Sequence, residues 1–113
     1  MAKRRAISIR QPWAELILLG EKRIEYRSVP CKKLGERVYI YAAPKVEEKE
    51  RRAFSKMGLE PGALPVRVLV GTIEIAKCTG SREKGYRWWI VKPKRLQRRI
   101  KPANKPQPVW FVP

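Results

Sequence analysis

Apolar and polar positions alternate in short bursts along this chain, and nearly every burst is closed by proline or glycine. Ala6-Ile7-Ser8-Ile9-Arg10 has the period of a half-buried strand. Pro12 follows where a first helical turn accepts proline, because that position has no intrahelical bond to lose. The pattern predicts a short helix from Pro12 to Leu19, with Trp13, Leu16 and Ile17 toward one side and Gly20 as its left-handed stop. Arg23-Ile24-Glu25-Tyr26-Arg27 alternates again, so Arg23, Glu25 and Arg27 share one strand face and Ile24 and Tyr26 the other. Pro30 cannot donate to a sheet ladder and should end that strand, leaving a basic loop through Glu36.

Arg37-Val38-Tyr39-Ile40-Tyr41-Ala42 is rich in β-branched and aromatic residues and predicts a buried strand. From Val46 to Met57 the chain turns helical: Glu47, Glu48 and Glu50 precede Arg51, Arg52 and Lys56, matching the helix dipole, and Gly58 stops it. A loop from Glu60 to Pro65 leads into a long strand, Val66–Ala76, with a bend expected at Gly71. Tyr86–Val91 and Val109–Val112 read as the last strands, separated by a Lys/Arg/Pro-rich connector, Lys92–Pro108, in which proline discourages regular structure. The expected fold is α+β: a small β-barrel of about five to six strands with two or more helices packed around it.

Length and composition narrow this further. At 113 residues and 43% hydrophobic, residues 1–113 read as a single domain with one core. No apolar run approaches the roughly 20 residues that span a bilayer, so the expectation is a soluble, cytoplasmic protein without a membrane partner. Charge changes the picture most: 27 Lys and Arg against 10 acids give +17. Self-repulsion of that size is tolerated best when a polyanion neutralises it, which makes nucleic acid the expected partner. Bulk charge does not separate RNA from DNA, and a nucleotide or small anion is a further candidate ligand.

The chain contains no His, and no Asp occurs in it. Protease chemistry built on His, EF-hands and His-containing zinc sites are therefore excluded, and no metal or cofactor is expected. Cys31 and Cys78 lack CxxC spacing; they could pair, but free buried thiols fit an intracellular chain better.

Candidate chemistry concentrates near the N-terminus. Arg10 and Gln11 stand at a strand-to-helix junction, where Arg can grip phosphate through two parallel bonds and Gln can both donate to and accept from a base. The structural alternative pairs Arg10 with Glu25 or Glu15. Lys22 lies in the turn before the strand that carries Glu25 and Arg27, and a carboxylate between two cations makes a poor base. Trp13, Trp88, Trp89 and Trp110 are first candidates for the core. Trp88 and Trp89 should point to opposite sheet faces, leaving one free to stack on a base.

Ser8-Ile9-Arg10-Gln11-Pro12-Trp13 and the spacing of Gly20, Lys22, Glu25 and Arg27 resemble the opening motif of the ASCH domain. The later similarity runs through Tyr39–Ala43, Gly71, Trp88 to Pro93, Pro106 and Trp110. The resemblance is to a small, stand-alone, prokaryotic-type member, and it implies a PUA-like barrel with a cleft between barrel and helices that binds RNA or a related ligand. Some members of the family resemble minimal amidohydrolases acting on an acetylated cytosine nucleoside with a Lys, a Thr and a Glu. Lys22 matches the Lys, whereas Glu25 occupies the Thr position, and Glu74 is a remaining acid.

The reading is accordingly an RNA-binding domain rather than an enzyme, with DNA as a further partner. Its expected contacts are Arg10, Gln11, Trp13, Lys22, Glu25, Arg27 and Trp89 near the cleft, and Lys94, Arg95, Arg98 and Arg99 on the basic connector. The enzyme alternative is a nucleoside amidohydrolase or ribonuclease that uses Lys22 with Glu25 or Glu74.

Overall fold

A computed structural model describes residues 4–47 and 49–113. The elements run β1 (Ala6–Ile9), α1 (Trp13–Leu18), β2 (Ile24–Arg27), β3 (Arg37–Ala42), α2 (Arg51–Lys56), β4 (Val68–Ser81), β5 (Gly85–Ile100) and β6 (Trp110–Phe111), with a 3-10 turn at Pro61–Ala63 between α2 and β4. One six-stranded sheet carries them in the order β2-β5-β4-β3-β1-β6. β1 and β3 are parallel; the other neighbours are antiparallel.

The sheet curls into a half-barrel, as the α+β barrel expectation required. β2 and β6 lie at opposite ends of the strand order, yet Trp88 on β5 and Trp110 on β6 stack with centroids 5.7 Å apart and planes 11° from parallel. The Arg27 guanidinium of β2 also donates to the Ser8 carbonyl of β1 at 2.7 Å. Side chains therefore close a seam that no backbone ladder closes. Inside the curl, Ile7, Ile9, Ile17, Val38, Ile40, Ile73, Ile75 and Trp88 form the main core. A smaller cluster of Ala6, Tyr41, Leu69 and Phe111 packs separately, with Tyr39 and Leu96 at its rim.

The basic connector departs most from expectation. Lys92 to Ile100 is not irregular but continues β5, pairing with β4 as far as Leu69 opposite Ile100. Proline is accommodated by a bulge: Thr72 faces Lys94 and Glu74 faces Val91, so Lys92 and Pro93 together oppose a single residue. Lys92 adopts a positive φ of 53°, and its carbonyl is taken up by Arg37 at 3.0 Å. The same guanidinium reaches the Thr72 hydroxyl at 2.7 Å and Glu74 at 3.2 Å, which fastens the bulge to β3 and β4.

The helices are shorter than the periodicity predicts. α1 spans Trp13–Leu18 with Pro12 as its cap residue, and α2 spans only Arg51–Lys56. Glu47 and Glu50 precede α2 rather than filling its first turn, and Glu48 lies outside the described residues. Glu47 has another partner, Arg10, which draws it away from a helical start. The strand expected from Val66 instead begins at Val68 and runs on through Ser81. Both ladders of β4 slip register beside Gly71, where the bend was expected. A β-carbon there would meet Leu18 of α1 and lie 2.7 Å from the Lys94 carbonyl oxygen, so a bare backbone lets α1 rest on the sheet.

Candidate nucleic-acid cleft

The seam opens at one end into a cleft of about 600 Å³ lined by Ser8, Arg10, Trp13, Lys22, Glu25, Tyr26 and Arg27. Three local features shape it. β1 ends at Ile9 and delivers Arg10 to the rim. The close of α1 presents Lys22: Gly20 takes φ +80°, and the backbone N–H groups of Glu21 and Lys22 return to the Leu16 carbonyl at 3.0 and 3.1 Å. β2 supplies the third wall, and its orientation is unusual.

The Glu25 and Arg27 face of β2 points inward, while Tyr26 stands out at 65% exposure. Amphipathic strands ordinarily bury the apolar set, because ions lose hydration on burial. Here Glu25 is 8% exposed and is held from both sides. Lys22 Nζ stands 3.5 Å from one carboxylate oxygen and Arg27 Nη2 2.9 Å from the other. Lys22 also donates to the Ile24 carbonyl at 2.6 Å and lies over the rings of Trp13 and Tyr26 at 5.1 and 5.4 Å. Arg27 rests on the ring of Trp88 at 5.7 Å. The lining thus holds three cations against one carboxylate, with aromatic rings beside them.

Arg10 is half exposed at the rim and pairs with Glu47, not with Glu25 or Glu15. The Arg10 hydrogen bond is the main reason the Glu47 carboxyl lies below the ordinary carboxylate range. Trp13 is half-buried rather than fully enclosed, packing on the core while it lines the cleft.

Other expected contacts lie elsewhere. Gln11 is 1% exposed and faces the fold rather than the cleft: its amide nitrogen donates to the Pro65 carbonyl and its oxygen accepts the Glu15 N–H, each at 3.0 Å. Arg95 is engaged by Glu15 in a two-point bond of 2.7 and 2.9 Å that ties α1 to β5 and raises the Arg95 pKa. Trp88 is the fully buried member of the tryptophan pair, donating to the Val29 carbonyl at 3.0 Å. Trp89 is half-buried outside the cleft; its N–H binds the Thr79 hydroxyl at 3.0 Å and Lys77 covers its ring at 4.5 Å. Lys94, Arg98 and Arg99 are exposed on the distal half of β5, which pairs with β4 alone. Glu74 pairs with Arg37 and Lys92 and lines no wall of the cleft with Lys22. Both cysteines are free, Cys31 buried and Cys78 half-buried, and burial pushes the Cys31 thiol up.

Ser8 and Tyr26 were not among the expected contacts. Alternation assigned Tyr26 to the apolar set of its strand, and only the side on which β2 meets β5 turns that set outward. Ser8 stood in the opening motif, but nothing in its chemistry marked it as a lining residue.

A six-stranded half-barrel carrying two helices matches the ASCH/PUA-like fold. The family model described as "ASCH domain" matches residues 7–101, and the chain belongs to that family. Its fold is similar to the crystal structure of a serine-to-alanine mutant of ASCH from Zymomonas mobilis, with TM-score 0.66 and 18% identity over 97% of this chain and 87% of that one. A second crystal structure of ASCH from Zymomonas mobilis aligns with TM-score 0.59 and 17% identity, covering 88% of this chain and 73% of that one. A search of curated proteins returned no match. No described helix is long and apolar enough to cross a membrane, and no described residues form a cluster suited to a metal ion.

Proposed function

We propose that this protein is an RNA-binding module that holds its ligand in the seam cleft between β1, α1 and β2. The observation that carries the reading is the inward-facing charged side of β2. A fold built for stability alone gains little from enclosing Lys22, Glu25 and Arg27, whose side chains are 16%, 11% and 19% exposed. In this reading Glu25 positions the two cations, Arg10 and Lys22 meet phosphate, and Trp13 and Tyr26 offer faces to a base. The exposed Lys94, Arg98 and Arg99 add to the long-range field of a chain with net charge +17.

The pairing favours binding over catalysis, because Glu25 already has a cation at each oxygen. The test is titration of a labelled single-stranded RNA at several salt concentrations. Affinity should fall steeply from about 50 to about 200 mM salt. Lys22→Ala should weaken binding about ten-fold, in line with the loss of a charge-assisted contact. Absence of binding at low salt, or a Lys22→Ala protein that binds like the parent, contradicts the proposal. Turnover of acetylated cytidine that disappears in Lys22→Ala would replace it with the amidohydrolase reading.

A further inference from the structure

Tyr26 is the most exposed large apolar side chain described, and its ring borders more than the cleft. On the far side of Tyr26 and Arg27 lies a second concavity of about 470 Å³, reaching the turn that joins β4 to β5. Tyr26, Arg27, Lys84, Tyr86 and Arg87 line it, together with Gly80 and Gly85. No carboxylate lines it among the described residues. Register places Tyr26 directly opposite Arg87, so the two side chains leave the same sheet face.

A third concavity, of about 710 Å³, leads from Trp13, Lys22 and Tyr26 toward α2, but it mixes Glu21 and Glu50 with its cations. Phosphates leaving the cleft therefore meet cations alone in the hairpin hollow, and two acids among four cations on the α2 side. An aromatic ring that is 65% exposed, with Lys22 over one face and a hollow richer in cations than carboxylates on either side, matches the repeat of a single strand, in which each base is followed by a phosphate. A duplex, whose bases are already stacked, could not use the ring in this way.

Building on the cleft-binding reading, we infer that single-stranded RNA continues out of the cleft over Tyr26, stacks one base on its ring, and sets the following phosphates against Lys84 and Arg87. The hairpin hollow would then extend the site from the cleft to a short oligonucleotide.

The experiment compares a mononucleotide with a single-stranded hexanucleotide by calorimetry or fluorescence titration. In the parent, the hexanucleotide should bind more tightly. The Lys84→Ala/Arg87→Ala protein should lose that advantage, with the slope of log affinity against log salt shallower by about 1.4 for two single-strand phosphate contacts. Its mononucleotide affinity should be unchanged. Tyr26→Ala should weaken hexanucleotide binding about ten-fold while Tyr26→Phe retains it, as ring stacking requires. Thermal melts confirm that each variant is folded. A double variant that keeps both the hexanucleotide affinity and the parental salt slope overturns the track, even where Lys22→Ala still weakens both ligands and the cleft reading stands. Loss of the Lys22→Ala effect on both ligands overturns the cleft reading itself.

Discussion

The guanidinium of Arg27 bridges the open seam of the half-barrel, donating to the Ser8 carbonyl at 2.7 Å while the same nitrogen lies 2.9 Å from Glu25. One side chain thus links β2 to β1, neutralises an enclosed carboxylate and lies over the core ring of Trp88. Arg27→Met should cost about 3 kcal/mol, because it leaves an ion with half its partners and a carbonyl without a donor. Arg27→Lys should recover only part of that, since one ammonium lacks the planar fork that serves both acceptors. Urea unfolding measures both variants; a neutral Arg27→Met would mean that the seam is held by packing alone.

Arg10 offers the contrast. Its pair with Glu47 is at the rim, with side chains 47% and 28% exposed. Arg10→Ala should therefore change stability by no more than about 0.5 kcal/mol while weakening RNA binding. A large loss of stability would assign this residue to the fold.

The same pair sets a pH dependence. Glu47 is held below its usual value of 4.5, chiefly by the hydrogen bond from Arg10. A lowered folded-state pKa gives a contribution that is fully present above the unfolded value and is lost as pH falls through the folded one. The small stability difference between the parent and Glu47→Gln should be constant from neutral pH down to about 5 and then vanish on further acidification. A difference that grows in acid has the wrong sign for this pair.

Gln11 should behave as a framework residue. Gln11→Ala removes a buried donor and acceptor, leaving the Pro65 carbonyl and the Glu15 N–H unpaired, at a cost of roughly 1 to 3 kcal/mol. Below the unfolding transition its RNA affinity should equal that of the parent. Weakened RNA binding by a stable, folded Gln11→Ala protein would return the residue to the site.

Gly71→Ala tests the packing of α1. The added methyl group would lie 2.7 Å from the Lys94 carbonyl oxygen and against Leu18, so helix or strand must shift, at a cost of about 1 to 3 kcal/mol. Calorimetric melting reads the loss; an unchanged midpoint would show that α1 moves freely over the sheet.

Burst-by-burst alternation and the residues that punctuate it were enough to place β1, β3, the short α1 and an α+β barrel, because strand period and turn chemistry are local properties. Residues 8–27 also carried the opening motif, and the whole of the cleft lining comes from that one stretch. Long-range pairing decided the rest. Local reading made Lys92–Pro108 irregular because proline discourages a ladder, and this holds beyond Ile100; from Lys92 to Ile100 β4 had a partner to offer, and a bulge fastened by Arg37 absorbs Pro93. Arg95 and Gln11 carry the right groups for a ligand, yet Glu15 and Pro65, distant in sequence, claim them first. Alternation on β2 divides Glu25 and Arg27 from Tyr26 but does not say which set faces inward. That choice belongs to the curl of the sheet, which brings Ser8 and Trp88 within reach of Arg27 and leaves the ring of Tyr26 in solvent.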